Sequence, residues 1–267
     1  MNLRNLIDEM MRIGYEENEA QARVCQDIIL KALSLSSLSR NVTIKGGVVM
    51  RSITNDVRRA TQDMDIDFIR YSLSNDSIDK FIEKLNTIDG ITIKRIGEIT
   101  ELSQQDYNGK RVFVHIIDGY NYSMESKIDL GVHKHYDIEQ EEYCFDIAFD
   151  DDGASLLINS KEQMFTEKLR SLLKFGVFST RYKDVYDMFY QCQSLNEKAL
   201  INCFYVLIFN DPGMRENNMK DIVRRIDSIF KDNDYKVRVD KSDKRWMDND
   251  IDEVFEAILT FLYHLQK

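Results

Sequence analysis

The chain has almost no proline and no clustered cysteine, and both shortages narrow what it is. Pro212 is the only proline of 267 residues, so neither a proline-rich linker nor a polyproline recognition segment is present. Cys25, Cys144, Cys192 and Cys203 stand far apart with no Cys-x-x-Cys pair, which excludes a zinc knuckle or a disulfide framework and leaves isolated thiols in a reducing cytoplasm. No apolar run approaches the length needed to span a bilayer. The segment Met1 to Leu30 carries Arg4, Asp8, Glu9, Arg12, Glu16, Glu17 and Glu19, which excludes the apolar core of a signal peptide. An excess of base is missing too: 46 acids against 36 Lys and Arg give a net charge of −10, which argues against a protein that coats nucleic acid non-specifically and leaves room only for a local basic groove. A phosphate loop of the Walker type, a dinucleotide-binding glycine fingerprint and serine or cysteine nucleophile motifs are all absent. With 43% hydrophobic and 31% charged residues, the chain can nevertheless bury one large core or two smaller ones.

What is present begins at Ile44-Lys45-Gly46-Gly47, followed a short helix later by Arg59-Ala60-Thr61-Gln62-Asp63-Met64-Asp65-Ile66-Asp67-Phe68. Acids alternating with Met64, Ile66 and Phe68 read as a strand, on which every second side chain shares a face. Asp63, Asp65 and Asp67 then form one row, and carboxylates so placed repel one another unless a cation sits among them, most naturally Mg²⁺ bound through oxygen ligands and substrate phosphates. Alone, such a row is more often the solvated face of an edge strand. The two glycines upstream change the odds, because a Gly-Gly turn opening a helix lets backbone N–H groups approach a phosphate at the positive end of the helix dipole.

Apolar spacing predicts two helices over residues 2–38 split near Gly14, a strand at Val42-Thr43-Ile44, a helix from Val48 to Thr54, a strand from Met64 to Arg70 and a helix from Ile78 to Leu85. Strands follow at Ile91 to Ile96, at Arg111 to Ile117 after a turn at Asn108-Gly109, and at Ser126 to Val132. Helical periodicity takes over from Ser160, with a turn at Asn210-Asp211-Pro212-Gly213. The expected organisation is an α+β domain over residues 1–158, its mixed or antiparallel sheet flanked by helices. A helical domain over residues 159–267 completes a cleft, and the acidic run Asp150-Asp151-Asp152-Gly153 is the boundary loop.

Three further constellations carry weight. Asp129, on the strand Lys127-Ile128-Asp129-Leu130, is the preferred third carboxylate for a metal and for the proton of an attacking hydroxyl; Asp118 and Asp137 compete for that role. Between Lys168 and Lys183 lie five bases and no acid: a solvated face by default, or the positive surface that an acidic protein needs to hold a triphosphate or an RNA end. Arg170, Lys174, Arg181 and Lys183 read as its exposed members, while Asp184 and Asp187 share a helix face just beyond. His133 and His135 lack a third metal ligand at typical spacing and read as strand residues. The aromatic set Phe175, Phe178, Tyr182, Tyr186, Phe189 and Tyr190 has helical spacing, which favours core over base stacking.

The Gly-Gly turn, the Arg-x-Thr-x-Asp-x-Asp strand and the Glu-Lys-Leu…Lys-Asp-x-x-Asp helices, in that order from about Ile44 to Tyr190, resemble the AbiEii/AbiGii nucleotidyltransferase toxins. Their catalytic core is similar to the DNA polymerase β type nucleotidyltransferases. The resemblance implies a nucleotide site at Lys45, Gly46, Gly47, Thr61, Lys168 and Asp187, a Mg²⁺ site at Asp63, Asp65 and Asp129, and catalytic roles for those acids with Lys168 and Asp184. Val48 and Val49 follow the glycines where members commonly have Ser or Thr, so one side-chain contact to the nucleotide is missing; an Asp65/Asp67 metal pair stays open beside Asp63/Asp65. The implied activity is transfer of a nucleoside monophosphate from an NTP to a hydroxyl acceptor such as a tRNA 3′ end. The resemblance also implies an antitoxin encoded nearby that need not touch the chain; no membrane partner is expected, because no apolar run is long enough to span a bilayer. A small-molecule nucleotidyltransferase of the aminoglycoside type and a non-catalytic nucleotide-binding module are the alternatives.

Overall fold

The computed structural model describes residues 1–102 and 109–266, which divide into two compact units, Met1–Asn159 and Ser160–Lys267.

In the first unit α1 (Leu3–Arg12) and α2 (Glu17–Leu35) meet at Gly14, whose φ of +111° turns the chain between them. Then come β1 (Val42–Lys45), α3 (Gly46–Thr54), β2 (Met64–Phe68), α4 (Asn75–Lys84), β3 (Ile91–Leu102), β4 (Gly109–Asp118), β5 (Ser123–Val132), β6 (Gln140–Ile147) and β7 (Asp150–Asn159). The strands form one mixed sheet in the order β3-β4-β5-β2-β1-β7-β6. β2 is antiparallel to β1 and parallel to β5, so the acidic strand sits in the middle of the sheet. Its odd-even pattern is the cause. Met64, Ile66 and Phe68 are wholly buried, and Phe68 packs its ring edge-on against Phe81 of α4. The aspartates are thereby turned to the other face. On the apolar side α2 lies against β5 and β7.

Two sequence expectations need correction, and a third lies partly outside the described residues. The run Asp150-Asp151-Asp152-Gly153 is no boundary loop: it opens β7, which pairs with an unforeseen strand, β6, and the division between units falls after Asn159. β6 lies at the sheet edge, where exposed Glu141 and Glu142 are tolerated and discourage edge-to-edge pairing, so charge masked its strand character. The helix placed at Val48 begins at Gly46, with the glycines inside its first turn. Asn108 of the expected Asn108-Gly109 turn lies outside the described residues, whereas Gly109 opens β4.

The second unit is helical: α5 (Lys161–Phe175), α6 (Tyr182–Gln191), α7 (Glu197–Phe204), α8 (Met219–Phe230), α9 (Asn233–Asp240) and α10 (Ile251–His264). Its helix starts are written in the sequence. Ser160, Asn196, Asn218, Asp232 and Asp250 each accept a hydrogen bond from a first-turn backbone N–H with the side chain. The core includes Phe165, Leu169, Tyr186, Phe204 and Ile258, and Phe230 stacks on Phe255 with ring centres 3.9 Å apart.

Candidate active site in the first unit

The site is built where β1 ends and α3 begins. Lys45 closes β1 opposite Asp65 of β2, and Gly46 follows with φ of +67°, a conformation costly for a side chain. Space excludes one as well. A Cβ on Gly46 would stand 2.5 Å from Asp65 Oδ2, and one on Gly47 would collide with Thr61 Oγ1. The two glycines therefore bring the N-terminus of α3 against Asp65 and Thr61, the residues that the sequence pattern joins to them. Gln26 of α2 holds the same loop, its Nε2 donating to the Thr61 carbonyl oxygen at 2.8 Å. Beside it, wholly buried Asp27 accepts from Arg23 and the Ala148 N–H and pairs with Arg51 of α3 at 3.4 Å. α2 thus ties down both walls of the glycine turn.

The acidic row is real and is extended sideways by β5. In the parallel register Asp65 faces Asp129. Around it the other acids hold cations: Lys45 Nζ lies 2.8 Å from Asp67 Oδ1 and Lys127 Nζ 2.5 Å from Asp63 Oδ1. Arg111 of β4 grips Asp129 with both forks, Nε to Oδ1 at 2.7 Å and Nη2 to Oδ2 at 2.8 Å. Asp65 itself makes no ion pair among the described residues. Burial, and then Asp129, Asp63 and Asp67 against the relief given by Lys45, push its carboxyl up from 3.8 to about 6. Among the described residues no three or more His, Cys, Asp or Glu form a ready metal cage. Magnesium at nucleotide sites needs none, since one or two carboxylates plus substrate phosphates hold it, and an unpaired, repelled Asp65 carboxylate beside Asp63 and Asp129 is chemically suited to that ion.

The other candidates have partners of their own. Asp118 has another job: its carboxylate accepts the N–H groups of Leu3, Tyr120 and Tyr122, fixing the β4–β5 turn and the start of α1. Asp137 is exposed beyond β5. His133 is buried against Tyr136, and burial lowers its pKa. In the second unit Lys168 is buried between two acids, Nζ to Asp184 Oδ1 at 3.0 Å and to Asp187 Oδ2 at 2.8 Å, with Trp246 Nε1 donating to Asp187 Oδ1 at 3.1 Å. Arg170, expected to be exposed, is instead partly buried and paired with Asp211 of the proline turn. Tyr186 and Phe189 join the core, but Phe175 is 50% and Phe178 86% exposed, so the aromatic set splits between packing and surface.

The raised Asp65 pKa makes a stability claim with a definite sign. A folded value of about 6 above the ordinary 3.8 means that the native state favours the protonated form, so stability falls as pH rises from about 4 to about 6 and stays lower above that. Asp65→Asn is therefore expected to be more stable than the parent at about pH 7, by ~1–2 kcal/mol allowing for its partial exposure, with the gain vanishing near pH 4. Urea titrations of the metal-free protein at the two pH values check this; a variant less stable than the parent at neutral pH would contradict it.

A family model described as "Nucleotidyl transferase AbiEii toxin, Type IV TA system" matches residues 28–258, from α2 into α10. No curated protein matches the chain in sequence. Among solved structures the chain is similar to JHP933 from Helicobacter pylori, with a TM-score of 0.52 at 15% identity over 94% of this chain and 92% of that one. This is a likeness of fold. Weaker likenesses are found to an antigenic nucleotidyltransferase-like protein from Paracoccidioides brasiliensis (TM-score 0.41, 14% identity, 82% of this chain and 92% of that one). The antibiotic-resistance factor ANT(2'')-Ia gives a TM-score of 0.42 at 15% identity, over 70% of this chain and 90% of that one.

Proposed function

The chain belongs to the AbiEii family of nucleotidyl transferase toxins of type IV toxin–antitoxin systems, and from that premise we propose that it transfers a nucleoside monophosphate from an NTP to a hydroxyl of RNA. One observation carries the reading: Gly46 and Gly47 seat the N-terminus of α3 directly against Asp65 and Thr61, with Asp129 beside Asp65 on the next strand. Free N–H groups at that helix start, with Lys45 at its cap, suit the phosphates. Asp63 and Asp65 would hold divalent metal, which neutralises charge on the triphosphate when bound. The acceptor oxygen attacks the α-phosphorus, the bond to the pyrophosphate oxygen breaks, and the acceptor proton passes to Asp129. Lys168, if it meets the nucleotide, does so as a lysine already held by Asp184 and Asp187 rather than as a free cation. The nearby-encoded antitoxin of such systems is a genetic partner, and this reading requires no contact with it. No helix among the described residues is long and apolar enough to cross a membrane.

What favours RNA over a small acceptor is a surface of the second unit. The loop after α5 carries Phe178, 86% exposed, three positions before Arg181, whose side chain is 68% exposed, and four after exposed Lys174. Arg238 pins that loop by donating to the Val177 carbonyl oxygen at 2.8 Å. A solvated aromatic on a fixed loop among bases is suited to stacking a splayed base while the cations meet phosphate. Phe178→Ala is expected to weaken binding of a fluorescent single-stranded RNA by about tenfold with little salt dependence, as a stacking loss does. Arg181→Ala should weaken it less and flatten its salt slope. Anisotropy titrations at two salt concentrations check both, and RNA binding untouched by either substitution removes the RNA argument. The activity itself is tested by offering each α-labelled NTP with Mg²⁺ and total RNA: labelled RNA supports the reading. Label found only on added aminoglycosides would return the small-molecule alternative, and no transfer from any NTP would return the non-catalytic one.

A further inference from the structure

We infer that Arg111 and Lys127 are internal counter-ions of the acidic site, which Asp129 and Asp63 release when a divalent cation enters and which then take hold of the phosphates that arrive with it. The inference rests on the nucleotidyltransferase reading above and goes beyond it, because neither residue belongs to the motifs that point to that reading. Its ground is geometric. Arg111 stands directly across from Asp129 in the antiparallel β4–β5 register and spends two N–H groups on the two oxygens of that carboxylate. Lys127, two positions before Asp129 on β5 and so on the same face, spends its ammonium on Asp63. Neither acid can keep these partners and also offer the same oxygens in the same directions to a metal.

Accessibility separates these pairs from the structural ones. The side chains of Arg111 and Lys127 are 33% and 29% exposed, whereas Lys45 and Asp67 are at 14% and 6%, and Asp27 and Arg51 are wholly or almost wholly enclosed. Both cations are therefore reachable from solvent, and they flank Asp65, which makes no ion pair among the described residues, so an incoming anion can meet them without any unfolding. Charge supplies the reason for the release. Among the described residues the carboxylates of Asp63, Asp65, Asp67 and Asp129 lie beside the cations Lys45, Arg111 and Lys127. A divalent ion entering alone would leave the site positive, and a triphosphate entering alone would leave it strongly negative. Entering together, they let the ion take the carboxylates while the fork of Arg111 and the ammonium of Lys127 pass to phosphate oxygens, for which both groups are well matched. The site so built discriminates against metal without nucleotide.

The test uses the full chain with Mn²⁺ alone, followed by paramagnetic resonance of the free ion, and then inorganic triphosphate at saturating Mn²⁺, followed by calorimetry. Arg111→Gln and Lys127→Gln are each expected to bind Mn²⁺ alone about tenfold more tightly than the parent, because a positive charge a few ångströms from the ion is gone, and triphosphate about tenfold more weakly. Arg111→Lys, keeping the charge but not the fork, should stay near the parent for Mn²⁺ and fall between for triphosphate. Opposite signs in the two titrations are what a merely structural role cannot give, since local disorder would weaken both. Circular dichroism melts identify any variant that fails to fold, and the other substitution then carries the test. If the parent binds Mn²⁺ and triphosphate but the glutamine variants bind Mn²⁺ no more tightly, this inference is overturned and the transferase reading stands. If the parent binds neither probe, the transferase reading falls and takes this inference with it.

Discussion

Asp65→Ala is expected to lower nucleotidyl transfer by about 10²-fold or more, the loss that follows removal of several kcal/mol of metal-mediated transition-state stabilisation. The fold should survive. Asp65 contributes no ion pair among the described residues, its neighbours Met64 and Ile66 carry the packing of β2, and its charge is held at a cost. Asp63→Ala is expected to match it. Asp67→Ala should be milder in chemistry, because Asp67 is already committed to Lys45, but it leaves that lysine without its partner at 2.8 Å. Single-turnover assays with melting curves on each variant separate these cases. Near-parental transfer by Asp65→Ala would falsify the metal assignment, and an Asp67 effect larger than that of Asp63 would move the metal pair to Asp65 and Asp67.

Lys168→Ala is expected to destabilise the helical unit by about 3–5 kcal/mol, the usual consequence of removing one partner from a buried ion cluster. The substitution removes the cation that both Asp184 and the fully buried Asp187 hold closely, while Arg181, 3.9 Å from Asp184 and mostly exposed, is a poor replacement; one Asp184 oxygen already lacks a hydrogen-bond partner among the described residues. Trp246, the only tryptophan, donates to Asp187, so its fluorescence reports the cluster directly in a urea titration. Replacing all three by neutral groups, Lys168→Met with Asp184→Asn and Asp187→Asn, should recover most of the loss. An unchanged midpoint for Lys168→Ala would show that the triad is not the anchor its burial indicates.

Much of the first unit was legible because β2 states its own arrangement. Alternation of Asp with Met64, Ile66 and Phe68 fixes which face is buried, and glycines at 46 and 47 announce a close approach that proves to be that of Asp65 and Thr61. The counter-ions were not read, although one signal existed. The β4–β5 hairpin turns about Tyr120, and counting outward equally from it places Arg111 opposite Asp129; strand propensity alone carries no register, which the turn must supply. β6 was hidden because an edge strand tolerates acids that a central strand would not. The partners of Lys168 were not legible for a different reason. A lysine in a stretch without acids looks free in sequence, but helical geometry and a turn of chain bring Asp184 and Asp187 back to it.

The central claim is that this chain moves a nucleoside monophosphate, and the position of the label in the nucleotide decides it. The parent protein and Asp65→Ala are incubated with Mg²⁺, RNA and the same NTP labelled either at the α- or at the γ-phosphate. The account predicts that α-label enters the RNA, that γ-label leaves as pyrophosphate, and that Asp65→Ala does neither. Label entering RNA from the γ-position, or α-label transferred equally well by Asp65→Ala, would contradict it.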